Sequence, residues 1–145
     1  MDFKDTMRYN HWCNSQVIAL FTSNPKQYNG RLAVLMSHSL NAHAIWNQRI
    51  QASLETQPVW TVHPLEHLEV LEQSNYENSL AILEARTVRE QLTYSTTSGE
   101  RYTNQVSEVL FHIINHSTYH RGQLMSGLKS QGITPVATDY IVYKR

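Results

Sequence analysis

Cysteine occurs once in this 145-residue chain. An intramolecular disulfide is therefore impossible, and zinc sites built on paired Cys-x-x-Cys are excluded. The composition suits a reducing compartment, which makes the cytoplasm the expected location. Net charge is missing too: 12 basic side chains balance 12 acidic ones, with no cluster of lysine or arginine. Affinity for nucleic acid comes largely from neutralising phosphates, so no nucleic-acid partner is expected. No apolar run reaches the roughly 18 residues a membrane helix needs, and MDFKDTMRYN has no apolar stretch behind its charges. Neither a membrane span nor a signal peptide is expected. Proline (4) and glycine (5) are scarce and fall at a few points of punctuation, without repeats or low-complexity tracts. The chain reads as one domain over residues 1–145, able to bury roughly two thirds of the surface its unfolded form exposes.

What the chain has instead is four long stretches of helical periodicity. The first, Phe3 to Ser23, carries Phe3, Met7, Val17, Ile18 and Phe21 on one stripe with Asn10 and Asn14, and Asn24-Pro25 stops it. The second follows Asn29-Gly30 and runs to about Leu54, with Leu32, Leu35, Ala42, Trp46 and Ile50 on one face. The third, from Pro64 or Leu65 to about Leu92, is more charged and is expected to be more exposed. Leu92 to Thr103, rich in threonine and tyrosine and broken by Ser98-Gly99, reads as a short hairpin. The fourth helix is expected to take Thr103 or Asn104 as N-cap, carry Val106, Val109, Leu110, Ile113 and Leu124, and close at Gly132, followed by an irregular or short extended tail. The pattern predicts an all-α fold, an antiparallel four-helix bundle with a hairpin or extended segment before the last helix.

Histidine is the unusual component, with 8 residues. His112, His116 and His120 follow one another at i, i+4, so neighbouring pairs share a helix face. All three cannot bind one ion, because His112 and His120 lie about 12 Å apart along the axis. At about 100° per residue from Val109, His116 falls at about −20° and His120 at about 20°, mid-stripe, with His112 at about −60°. Two imidazoles placed centrally on an apolar face need partners for their ring nitrogens, and metal ligation supplies them. Ser117 stands where the metalloprotease pattern HExxH has its glutamate, which excludes that general base. A third ligand is wanted, and the second helix offers His38 and His43. They flank its stripe at about −60° and 80° from Leu35, and periodicity does not choose between them. His11, His63 and His67 are expected at the surface.

Three separated motifs then coincide: Tyr9-Asn10-His11-Trp12-Cys13-Asn14; His38 followed by Trp46 and Arg49; and His112-Ile-Ile-Asn-His116-Ser-Thr-Tyr-His120-Arg-Gly-Gln123. With Gly132-Ile-Thr-Pro135, Thr138-Asp139-Tyr140-Ile141 and Tyr143-Lys-Arg145, they resemble the DinB-like (damage-inducible) family over nearly the whole chain. The resemblance implies a four-helix bundle of up-down-down-up connectivity, often a homodimer, with a divalent metal held by three histidines. By matching position these are His38, His116 and His120, which leaves His43 and His112 in supporting or packing roles. Tyr119 stands where a histidine is often found beside the last ligand.

Zinc, nickel and iron all suit imidazole ligands. An ion held by three neutral imidazoles keeps its charge and open positions, which favours lowering the pKa of a water or of a low-molecular-weight thiol. The related superfamily includes enzymes that transfer such thiols to electrophiles or use them in isomerisation. The expected function is therefore a metal-dependent S-transferase or isomerase acting on a small molecule. The alternatives are a non-catalytic metal-binding stress-response protein and a metal-dependent hydrolase. No catalytic side chain or general base can be named. Asn10 and Asn14 either orient a ligand or bond helix backbone. Arg49 and Arg121 either hold an anionic group or are solvated or bundle-end arginines, and Tyr119, Tyr140 and Tyr143 either line a pocket mouth or pack.

Overall fold

In the computed structural model, which describes residues 1–54, 57–96 and 98–145, the chain is mostly helical. Helices α1 (Phe3–Ser23), α2 (Gly30–Ile50), α3 (Leu68–Ala85) and α4 (Val106–Ser130) are long, and α5 (Tyr140–Tyr143) is a single turn. Strands β1 (Gln91–Ser95) and β2 (Arg101–Gln105) pair antiparallel as a hairpin before α4, with Thr93 opposite Thr103 and Tyr94 opposite Tyr102. No helix among the described residues is long and apolar enough to cross a membrane.

Several boundaries differ from the periodicity: α3 opens at Leu68, behind a 3-10 turn at Leu65–His67, rather than at Pro64 or Leu65, and the tail carries the helical turn α5. Helix α2 stops at Ile50, short of Leu54: Ala52 takes a left-handed φ of 54°, and Leu54, 90% exposed, has no core to join. Helix α3 ends at Ala85 because Arg86 turns extended, its guanidinium donating to the Ile50 carbonyl (2.8 Å) and Glu90 (2.8 Å). Leu92 is then buried from a strand. Thr103 and Asn104 belong to β2, and Gln105 caps α4 in a capping box whose Glu108 carboxylate accepts from the Gln105 N–H at 2.7 Å. At the other end of the chain Asp2 caps α1, accepting from the N–H groups of Lys4 and Asp5.

Helix α1 packs against α3 and α4, and α2 against the same two. The apolar residues gather in two clusters. One joins Val17, Phe21, Leu35, Leu40, Leu68, Leu124 and Leu128, and the other joins Met7, Ile50, Ile82, Val109, Leu110 and Ile113. On every long helix some buried polar residues fall between the two, Asn10 and Asn14 on α1, His43 and Asn47 on α2, Glu72, Asn75 and Ser79 on α3, Ser117 and Arg121 on α4, while Ser37, His38 and Ser39 on α2 lie beside the first cluster. A polar belt thus crosses the core at mid-height. The tail lies over α1, where Tyr9 Oη donates to the Thr138 carbonyl (2.6 Å), and Tyr140 and Lys144 donate to Asp5 (2.6 and 2.9 Å).

His43 sits in this belt with Nε2 2.8 Å from Ser79 Oγ, and burial, with a smaller contribution from His11, pushes its pKa from 6.5 down to about 3. Between those values the unfolded chain binds a proton that the folded chain refuses. His43 therefore makes stability fall as pH drops, by about 1.4 kcal/mol per unit, and the loss begins near the unfolded value. Urea unfolding in EDTA between about pH 6 and pH 4 is expected to show a slope shallower by about that amount in His43→Gln. Identical slopes would contradict the assignment.

Candidate metal centre

Helices α2 and α4 run side by side and set His38 opposite the i, i+4 pair on α4. His116 Nε2 lies 3.3 Å from His38 Nε2 and 3.1 Å from His120 Nε2. One nitrogen from each ring lies within 4.8 Å of the other two, and among the described residues this is the group of metal-capable side chains brought together. Ligand nitrogens around a tetrahedral ion with bonds of about 2.0 Å stand roughly 3.3 Å apart, so the spacing suits one.

The protonation state suits one as well. His120 Nδ1 is 2.8 Å from Gln123 Oε1, an acceptor, so Nδ1 carries the proton and Nε2 presents its lone pair to the cluster. Burial, then the neighbouring imidazoles His120, His38 and His112, pushes the His116 pKa down to about 4. Burial and then His120 lower that of His38. Both rings are neutral near pH 7, ready to donate electron pairs to a cation. Aromatic side chains border the group. Trp60, from the α2–α3 connection, stacks on His38 at 3.9 Å and 15°; Tyr119 stands edge-on to His120 at 5.1 Å; His112 lies 5.5 Å from His116 and 5.1 Å from Trp46. Trp60 was beyond sequence reasoning, because a loop residue carries no periodic signal.

The remaining candidates lie elsewhere, and several expectations need correction. Arg121 is not solvated at a bundle end but 2% exposed. Its Nη1 donates to Asn10 Oδ1 (2.6 Å), Asn14 Oδ1 (3.0 Å) and Ser117 Oγ (2.9 Å), and its Nη2 to Thr118 Oγ1 (2.8 Å). Asn10 and Asn14 therefore bond neither a ligand nor helix backbone through these oxygens. Asn14 Nδ2 donates onward to Glu72 Oε2 at 2.9 Å, and Glu72 Oε1 is 3.2 Å from His11 Nδ1. His11 is thus no free surface residue; it also stacks on Tyr76 at 4.4 Å. Burial raises the Glu72 pKa, against the pull of His11, Asn14 and Arg121. Glu72 did have a signal, since it shares the stripe of Leu68, Asn75, Ser79 and Ile82 on α3.

His63 is half-buried, 2.6 Å from Asn41 Oδ1, whereas His67 is exposed as expected. Arg49 stacks over Trp46 and Tyr94, and Tyr140 and Tyr143 pack on Tyr9. Cys13 is fully buried and its thiol pKa is raised by that burial, which disqualifies it as a nucleophile.

The DinB family model matches residues 6–145, and the chain belongs to the DinB family. Among curated relatives, Protein DinB of Bacillus subtilis (strain 168) is 27% identical over 154 aligned positions that cover 93% of this chain and 89% of that protein.

Removing Arg121 would strand its partners in the core and cut the path of charge to Glu72. Arg121→Ala is expected to lower the free energy of unfolding by about 3 kcal/mol in urea denaturation. A loss below about 0.5 kcal/mol, as for surface substitutions, would show that the belt does not depend on it.

Proposed function

We propose that this chain is a divalent-metal enzyme whose ion is held by His38, His116 and His120, in a four-helix bundle of up-down-down-up connectivity that works as a homodimer in the cytoplasm. The observation that supports it is the convergence of three imidazole nitrogens, with the His120 tautomer set by Gln123. Zinc, nickel and iron fit this donor set equally. A divalent ion held by neutral imidazoles supplies Lewis-acid chemistry and lowers the pKa of a small-molecule thiol or a water.

The protein's own residues then have defined tasks. His38, His116 and His120 hold the ion without cancelling its charge. Trp60 and Tyr119 border the approach, stacked on His38 and edge-on to His120. The thiol comes from outside, since Cys13 is buried. The reaction class that suits these parts is S-transfer to, or thiol-dependent isomerisation of, a small electrophile. A non-catalytic metal-binding stress-response protein is the second reading. A structural site wants a fourth protein ligand, and among the described residues none joins the three histidines, which favours an open, reactive site. For hydrolysis the buried carboxylate of Glu72 is not free to act as base, because it is engaged by His11 and Asn14.

Elemental analysis of the purified chain is expected to find about one ion per chain, lost at least tenfold in His116→Ala and retained in His112→Ala. Equal content in the two variants would overturn the ligand set. Thiol consumption with monochlorobimane is expected to stop in EDTA and resume on adding back metal; consumption indifferent to metal would overturn the mechanism.

A further inference from the structure

The face of α4 that carries His116 and His120 continues past them. Gln123 and Gly127 lie seven residues beyond His116 and His120, and Arg31 lies seven residues before His38 on α2. Seven residues is nearly two turns, so each stays on the face of its histidine, about 10 Å further along the axis. Arg31, Tyr119, Gly122, Gln123, Ser126 and Gly127 together line a groove of about 450 Å3. That is within the usual range for a small-molecule site.

The groove adjoins the histidine group through two of its walls: Gln123 bonds His120 Nδ1 at 2.8 Å, and Tyr119 stands against the His120 ring. It lies where the helices approach closely, since a Cβ on Gly127 would come within 2.5 Å of Leu32 Cδ2, whereas one on Gly122 would meet nothing within 4 Å. Arg31 is its one charged lining residue, and it is exposed with no ion pair or hydrogen bond among the described residues.

We infer that this groove binds the tail of a small molecule whose head sits at the histidine group, and that the tail ends in a carboxylate paired with Arg31. This rests on the metal reading above and adds the class of ligand: an anionic thiol with roughly 10 Å between sulfur and carboxylate. A single guanidinium with no second cation matches one negative charge, which argues for a carboxylate over a doubly charged phosphate. Gln123 serves both ends, fixing the His120 tautomer while walling the groove.

The test uses cobalt(II)-loaded protein, with bound cobalt measured first and thiol binding then followed by the thiolate-to-cobalt absorption. The wild-type chain is expected to bind 8-mercaptooctanoate about tenfold more tightly than the uncharged 8-mercaptooctan-1-ol. Arg31→Gln should hold the same cobalt and lose the preference, and Arg31→Lys should keep most of it. Gly122→Leu, which fills the groove from a position with room for a side chain, should weaken both thiols. Full cobalt with equal affinity for the two thiols, or an undiminished preference in Arg31→Gln, would overturn the groove assignment and leave the metal reading standing. A wild-type chain that takes up no cobalt would overturn the metal reading and this inference with it.

Discussion

A guanidinium enters a protein interior at high cost unless most of its donors are met, and α1, α3 and α4 are joined through one whose two terminal nitrogens are met while its Nε is not. Arg121 on α4 is met by Asn10 and Asn14 on α1 and by Ser117 and Thr118 on its own helix. Asn14 passes the contact to Glu72 on α3, and Glu72 to His11. Such a chain tolerates little sliding, because displacing α1, α3 or α4 by one residue would leave a buried charge or amide unpaired. The apolar clusters above and below supply burial, while the belt between them sets the height at which the helices meet.

That setting reaches the histidines. His116 and His120 each immediately precede a belt residue, Ser117 and Arg121, so the two sets point about 100° apart around α4. Anchoring Ser117 and Arg121 toward α1 turns His116 and His120 toward α2, where His38 meets them. The polar belt and the metal-capable group are two faces of one helix, and the first orients the second. The eight histidines divide accordingly: three converge, His43 and His11 serve the belt, His112 packs beside the cluster, His63 bonds Asn41, and His67 is exposed.

Much of this was legible in advance, for reasons that differ by residue. Helix α1 was readable end to end because Asn24-Pro25 is local punctuation, and the hairpin because threonine and tyrosine around Ser98-Gly99 favour strands over helix. The ends of α2 and α3 were not. Helix α2 ends in the left-handed turn at Ala52, and α3 where Arg86 reaches the Ile50 carbonyl, a contact between residues 36 apart that no local window contains. His116 and His120 could be picked out by angle alone, whereas the choice of His38 over His43 rested on resemblance, since both flank the stripe equally.

By itself, then, the sequence determined a chain poor in cysteine and rich in histidine, with imidazoles spaced along long helices, because composition and periodicity are properties of the chain before it folds. Only the tertiary structure decided which histidines converge, that Arg121 and Glu72 are interior, and that Trp60 covers His38. Those outcomes depend on the rotation and height of one helix against another, and these are set by long-range pairing of buried polar groups rather than by local pattern.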